Sequence, residues 1–356
     1  MIKSIKNYIG KPEWQIIDAM KLIDNNSVGL LYICDNNGHL NGCITDGDIR
    51  RWIIKTGGIN GTVNEAMNHS PRFLYEKEKS LAITKMENEQ IYSIPILNNK
   101  DVLIDVIFHE EALKSRVSKG SSGLSGYPVI IMAGGKGTRL YPYTKILPKP
   151  LIPIGDIPIL ERIFMRFYQY GARSFFLTVN YRKEMIKSYF SETGTPYEIK
   201  YVEEDTPLGT AGSIRLIEEE FDRPVIITNC DILIEADYEL IMDYHKNSGN
   251  TMTIVSSLKN MSIPYGVLHS KEHGIVTSME EKPEISYFIN TGMYVVEPRC
   301  LNLIPKGKIF HMTDLAESLL EKGECVGMFP ISENSFLDMG QFAEMKRMED
   351  VIEGRV

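Results

Sequence analysis

No stretch of about 18 apolar residues occurs in the chain, and the opening Met1-Ile-Lys-Ser-Ile-Lys has no apolar core, so neither a membrane span nor an export signal is expected. Cysteine is scarce. Cys34, Cys43, Cys230, Cys300 and Cys325 are odd in number and nowhere spaced Cys-x-x-Cys, which argues against a disulfide framework or a zinc site and fits reduced thiols in a cytoplasm. Positive charge is not in excess either: 39 Lys and Arg against 47 Asp and Glu leave −8, the wrong sign for a general nucleic-acid or membrane-surface binder. What is present is 43% hydrophobic and 24% charged over 356 residues, enough for two or three ordinary globular domains.

Against that acidic background one basic, glycine-rich stretch stands out: Val129-Ile-Ile-Met-Ala-Gly-Gly-Lys-Gly-Thr-Arg-Leu140, then Tyr141-Pro-Tyr-Thr-Lys-Ile-Leu-Pro-Lys-Pro-Leu151. An apolar strand opening into Gly134, Gly135 and Gly137 brings backbone N–H groups within reach of an anion, and Lys136, Arg139, Lys145 and Lys149 surround it with cations. Phosphate is the expected guest. Leu140 stands where a G-x-G-x-x-G motif needs its third glycine, and the G-x-x-x-x-G-K-[ST] loop is absent. By itself a glycine pair is more often a plain strand-to-helix turn.

The first 116 residues carry an internal repeat. Trp14 to Ile23 has helical spacing, Ser27 to Cys34 is a β-branched and aromatic strand, Asp35 to Gly38 a turn, His39 to Thr45 a return strand and Asp46 to Ile54 a helix. The same order recurs 63 residues on, from the Ser80–Gln90 helix through strands 91–97 and 102–108 to a helix at 110–115. With Gly42, Thr45 and Asp48 inside Gly-Cys-Ile-Thr-Asp-Gly-Asp, this region resembles a tandem CBS pair. That resemblance implies an adenine nucleotide held by Thr45 and Asp48, or a purely dimerising role. In the second copy Asp105, Phe108 and Glu111 replace the motif, so its site is expected to be degenerate. Residues 117–127, rich in Gly and Ser, are expected to form a flexible linker.

Residues 128–356 alternate strands and helices, the pattern of a mostly parallel α/β sheet covered on both faces, with helices at 159–170, 183–190, 211–220 and 238–246. Ligands of such sheets sit at the carboxyl ends of strands, where the glycine loop and Asn229-Cys-Asp231 would both lie. The glycine phrase, Pro148-Lys-Pro150, Asn229-Cys-Asp231, Leu208-Gly-Thr-Ala-Gly212, Glu280-Glu-Lys-Pro283, Asn290-Thr-Gly-Met-Tyr294 and Phe336-Leu-Asp-Met-Gly340 together resemble the sugar-1-phosphate nucleotidyltransferases, a Rossmann-like fold. The resemblance implies that Met132, Gly134, Gly135, Gly137, Thr138, Leu208 and Gly209 hold the nucleotide. It gives Arg139 the leaving pyrophosphate, Lys149 the transferred phosphate, and Asp231 and Asp338 the cofactor Mg²⁺. Gly266, Glu281, Lys282 and Asn290 would take the sugar phosphate, with Lys282 on its charge. Bare sequence offers blander readings: a solvated loop lysine at 149, a helix cap for a lone acid after a strand, which leaves Asp338 resting on the resemblance more than Asp231 does, and a solvated acidic face at 280–282.

Pro207-Leu-Gly-Thr-Ala-Gly212 is similar to the guanylyltransferase branch, so GTP is the expected nucleotide. A CBS pair ahead of the transferase is similar to bacterial enzymes that activate glucosamine 1-phosphate for legionaminic-acid-type surface sugars. Uridylyl, cytidylyl or thymidylyl transfer on the same fold, and a non-catalytic nucleotide sensor, are the alternatives. A homo-oligomer is expected from family habit. Since the chain stops shortly after Asp338, the C-terminal β-helix of some relatives is not expected.

Overall fold

Each half of the N-terminal repeat offers an amphipathic helix, a short apolar β-branched strand and an Asn-rich turn, which favour a helix packed on a hairpin. The computed structural model describes residues 5–26, 28–89, 91–109, 122–340 and 342–352, and the chain divides into two compact units, residues 1–120 and 121–356. In the first unit, helix Ile16–Asn26 precedes strands Leu30–Cys34 and Leu40–Thr45 and helix Asp46–Thr56. Helix Ala82–Glu89 precedes strands Ser93–Leu97 and Leu103–Phe108. The two hairpins share one register displaced by 63 residues: Leu30 faces Thr45 as Ser93 faces Phe108, Ile33 faces Gly42 as Ile96 faces Asp105, and the same irregularity follows Ile33 and Ile96. The copies also grip each other reciprocally. Leu40 N–H donates to Asp101 O and Leu103 N–H to Gly38 O. Leu30, Tyr32, Cys34, Leu97 and Leu103 then form one core, in which the Tyr32 and Ser93 hydroxyls meet at 2.8 Å. The helix expected at 110–115, with Glu111, lies outside the described residues.

In the second unit the strand Val129–Ala133 alternates with period 2: Val129, Ile131 and Ala133 enter one apolar cluster, Ile130 and Met132 another. Helices Ile159–Gln169, Lys183–Thr193 and Tyr238–Ser248 cover the first face, and Ala211, Ile214 and helix Met312–Glu321 the second. Between them runs a seven-stranded sheet ordered Glu198–Glu203, Ser174–Val179, Val129–Ala133, Val225–Asn229, Glu284–Val296, Met252–Ser262 and Val326–Ile331. Only Glu284–Val296 runs against the rest. Of the Gly/Ser-rich stretch, residues 122–127 pack on this unit: Leu124 is fully buried and its N–H donates to Tyr170 O.

The helix expected over 211–220 is cut to one turn, Gly209–Gly212, and a tighter turn, Ser213–Leu216. Ala211 and Gly212 N–H both donate to Phe310 O instead of to a helical partner, and a Cβ on Gly212 would lie 2.7 Å from Lys308 O. This segment is shaped by the backbone beside it rather than by helix propensity.

Candidate active site

From Val129–Ala133 the chain moves to one side through Ser174–Val179 and Glu198–Glu203, then returns to the other side at Val225–Asn229. Such a reversal opens a crevice at the carboxyl ends of the two central strands. The glycine loop leaves one of those ends and Asn229-Cys230-Asp231 the other. Two adjoining cavities of about 390 and 310 Å³ lie there, sharing Thr210, Asn229, Asp231 and His311 in their walls.

Lys149 crosses the crevice to Asp231, and the two side chains form a half-buried ion pair. Burial works against the Lys149 ammonium, but Asp231, with Cys230 and Asp338 behind it, carries its pKa above the usual lysine value. Asp338 is brought alongside by backbone pairing: strand Ile232–Ile234 runs antiparallel to Phe336–Asp338, Ile232 faces Asp338, and Met339 N–H donates to Asp231 O at 2.8 Å. Burial, then the charge of Asp231, push the Asp338 carboxyl above its usual range. Two carboxylates held this way fit Mg²⁺, which takes one or two protein carboxylates and completes its shell with substrate phosphate and water. Among the described residues no cluster of three His, Cys, Asp or Glu ligands competes for that role.

On the glycine side, Gly137 has a φ of 64° and sits so close to the next loop that a Cβ would lie 2.9 Å from Thr144 Cγ2 and 3.0 Å from Lys149 Cβ. A side chain there would displace the lysine. Gly134 faces the carboxylate of Glu204, where a Cβ would lie 2.4 Å from Oε1. Glu204 is 5% exposed and accepts the Leu208 N–H on Oε2 at 3.1 Å. Asn180 Nδ2 donates to its carbonyl at 2.7 Å. Burial pushes its carboxyl above the usual range, opposed by the Leu208 N–H and the Ser213 hydroxyl. Next to it, the Thr178 hydroxyl is 1% exposed and has no hydrogen-bond partner among the described residues.

The structure gathers most of the sequence candidates. Met132, Gly134, Gly135, Gly137, Lys149, Gly209 and Asp231 line the smaller cavity, and Arg139, Asp231, Asn290 and Asp338 the larger. Leu208 is buried behind Glu204, and Thr138 is exposed on the glycine loop. Gly266, Glu281 and Lys282 stay together but off these walls. They stand on an exposed ribbon, Gly266–Ser270 with Val276–Glu281, where Gly266 faces Glu281 and Lys282 N–H donates to Tyr265 O at 3.3 Å. Lys282 itself has a φ of 48°, a conformation non-glycine residues seldom adopt. In the first unit Thr45 and Asp48 are engaged with each other: Thr45 caps helix Asp46–Thr56, its hydroxyl donating to Asp48 Oδ2 at 2.6 Å while Arg51 holds Oδ1.

Sequence reasoning missed Asn229, Glu204, Thr178, Thr210 and His311. Asn229 was within reach, being part of the phrase that yielded Asp231. Glu204 was hidden in the acidic run Glu203-Glu204-Asp205, and only strand alternation hints that one of the three points inward.

The sequence matches the nucleotidyl transferase family over residues 128–353 and a CBS domain over residues 11–55. A mannose-1-phosphate guanyltransferase of Debaryomyces hansenii is 34% identical over 186 residues, 49% of this chain and 51% of the relative. A UTP–glucose-1-phosphate uridylyltransferase of Synechocystis sp. is 31% identical over 214 residues, 54% of this chain and 55% of the relative. The chain thus spans about half the length of these curated relatives. Among solved structures, HddC from Yersinia pseudotuberculosis shares the fold, with a TM-score of 0.50 at 24% identity over 64% of this chain and 99% of that one. With a sheet reversal, a glycine loop and paired acids inside a match that covers more than half its length, the chain belongs to the nucleotidyl transferase family and carries a CBS domain in its N-terminal unit.

Proposed function

We propose that this chain transfers a nucleotidyl group from a nucleoside triphosphate to a sugar 1-phosphate, and that the nucleotide is GTP. A sugar-phosphate oxygen attacks the α-phosphorus, the new P–O bond forms as the bond to the β-phosphate breaks, and pyrophosphate leaves. The attacking oxygen is already anionic near neutral pH, so no general base is required. Gly134, Gly135 and Thr138 offer the loop to the triphosphate, Arg139 meets the departing charge, and Lys149 turns from Asp231 to the transferred phosphate. Asp231 and Asp338 would hold Mg²⁺, which neutralises phosphate charge in the transition state when bound. Lys282 and Glu281 serve the sugar phosphate from the ribbon, with Asn290 in the cleft. Glucosamine 1-phosphate is the acceptor we favour, with mannose 1-phosphate, named for the fungal relative, beside it. In the first unit, an adenine nucleotide at Thr45 and Asp48 would have to open the cap those residues now form.

The observation that carries the GTP reading is the buried carboxylate of Glu204 in the wall of the cleft. A carboxylate only accepts hydrogen bonds, and guanine is the base that presents two adjacent donors, N1–H and N2–H. Uracil and thymine offer one N–H between two carbonyls, which a carboxylate repels. Binding in the presence of Mg²⁺ tests this: GTP should bind about tenfold or more tightly than UTP or dTTP, and Glu204→Gln should erase that gap. The wild-type preference should also fade as the pH falls through the raised Glu204 pKa, since protonation removes an acceptor, whereas the Gln variant should show no such step. Equal affinities in the wild-type protein would overturn the base assignment.

A further inference from the structure

The loop that carries Lys149 is poorly held by packing. Between Tyr141 and Lys149 it forms only a single tight turn, and it exposes Tyr141, Tyr143 and, at 71%, Ile146. One side chain pins it from below: Thr144 is fully buried and its hydroxyl donates to Gly137 O at 2.8 Å. Outside, the Tyr143 ring packs on Phe342 with 5.7 Å between centroids, and two residues that do not line the cleft hold the loop backbone. Tyr181 OH donates to Thr144 O at 3.1 Å, Arg182 Nη2 donates to Lys145 O at 2.6 Å, and Arg182 Nε donates to Tyr181 OH at 3.0 Å. Arg182 does this from a strained backbone, with φ 52° and ψ 36°, at the start of helix Lys183–Thr193. Glycine would occupy that position with less strain, and an arginine kept in such a conformation directs attention to what its side chain does.

We propose that Tyr181 and Arg182 form a clasp that positions the triphosphate-binding loop. By fixing the carbonyls of residues 144 and 145 it sets the height of the loop over the glycine turn, and so the reach of Lys149, four residues further on, toward the α-phosphate. The two are positioning residues: they act on substrate through the loop. The inference rests on the reading of the glycine loop as the nucleoside triphosphate site, so it needs one readout that depends on that reading and one that does not.

The decisive variant is Arg182→Gly, because it relieves the backbone while removing the clasp. With the full-length protein we expect a melting temperature equal to or above that of the wild type, a KM for nucleoside triphosphate raised about 5- to 10-fold, and a KM for sugar 1-phosphate changed less than about twofold. Tyr181→Phe should raise the same KM, and combining the two changes should add little, since the clasp acts as a unit. Independently of activity, tryptic cleavage of the exposed Lys145–Ile146 bond, followed by mass spectrometry, should be faster in both variants. Unaltered cleavage would overturn the clasp whatever the chain catalyses. Faster cleavage with an unchanged triphosphate KM would overturn the positioning role, and a lowered melting temperature with both KM values intact would reduce Arg182 to a structural residue.

Discussion

Glu203 and Glu204 are neighbours in sequence and opposites in physics. Hydrogen bonds from Lys183 and Lys187 hold the exposed Glu203 carboxyl down at about 2, while burial pushes Glu204 the other way. The acidic run around them looks like solvated surface in the sequence, so the residue to which we assign base recognition could not be picked out before the sheet showed which one faces inward. Lys149 was easier. A lysine between two prolines is ordinarily a loop cation, and only the surrounding phrase pointed to phosphate; in the structure it forms a half-buried pair with Asp231 beside Asp338. Removing a charge from this centre should strike the chemical step. Asp231→Asn should therefore lower kcat about 100-fold or more at saturating Mg²⁺, whereas Lys282→Ala should chiefly raise the KM for sugar phosphate. Steady-state kinetics with each substrate varied in turn separates the two, and near wild-type behaviour of both variants would contradict the assignment of roles.

Among the elements, those with a strong period were legible and those shaped by a neighbour were not. The helices expected at 159–170, 183–190 and 238–246 form as Ile159–Gln169, Lys183–Thr193 and Tyr238–Ser248, and the 63-residue repeat proved to be a repeat of register as well as of sequence. The segment after Pro207 failed as a helix because Gly209 and Gly212 press against residues 308–311, a contact no local pattern announces. The ribbon Gly266–Glu281 was not foreseen as an element at all. Its polar and small residues give a weak strand signal, and two strands without a covered face are only marginally stable alone. Helix Asp46–Thr56 offers a test at this scale. Its cap is a reciprocal Thr45–Asp48 box, so Thr45→Ala should cost about 1 kcal/mol in the stability of the N-terminal unit, measured by chemical denaturation without ligand. No loss would mean that Thr45 stands there for a ligand rather than for the helix.

At the scale of the molecule the sequence was most informative about class and least about choice of substrate. Glycine loop, paired acids and alternating elements all converge on one crevice because the order of the central strands reverses there, and that reversal follows from connectivity as much as from any residue. In the proposed reading the choice of base falls to Glu204 and that of sugar partly to Asn290, two cleft-lining groups that the fold brings together from separate parts of the chain. The most direct test of the whole reading is pyrophosphate release in the presence of Mg²⁺. It should cross GTP, UTP, CTP, ATP and dTTP against glucosamine, N-acetylglucosamine, mannose and glucose 1-phosphates. The account predicts release with GTP and a hexose or hexosamine 1-phosphate, and little with the pyrimidine nucleotides; release confined to UTP or dTTP would contradict the role given to Glu204, and none with any pair would contradict nucleotidyl transfer itself.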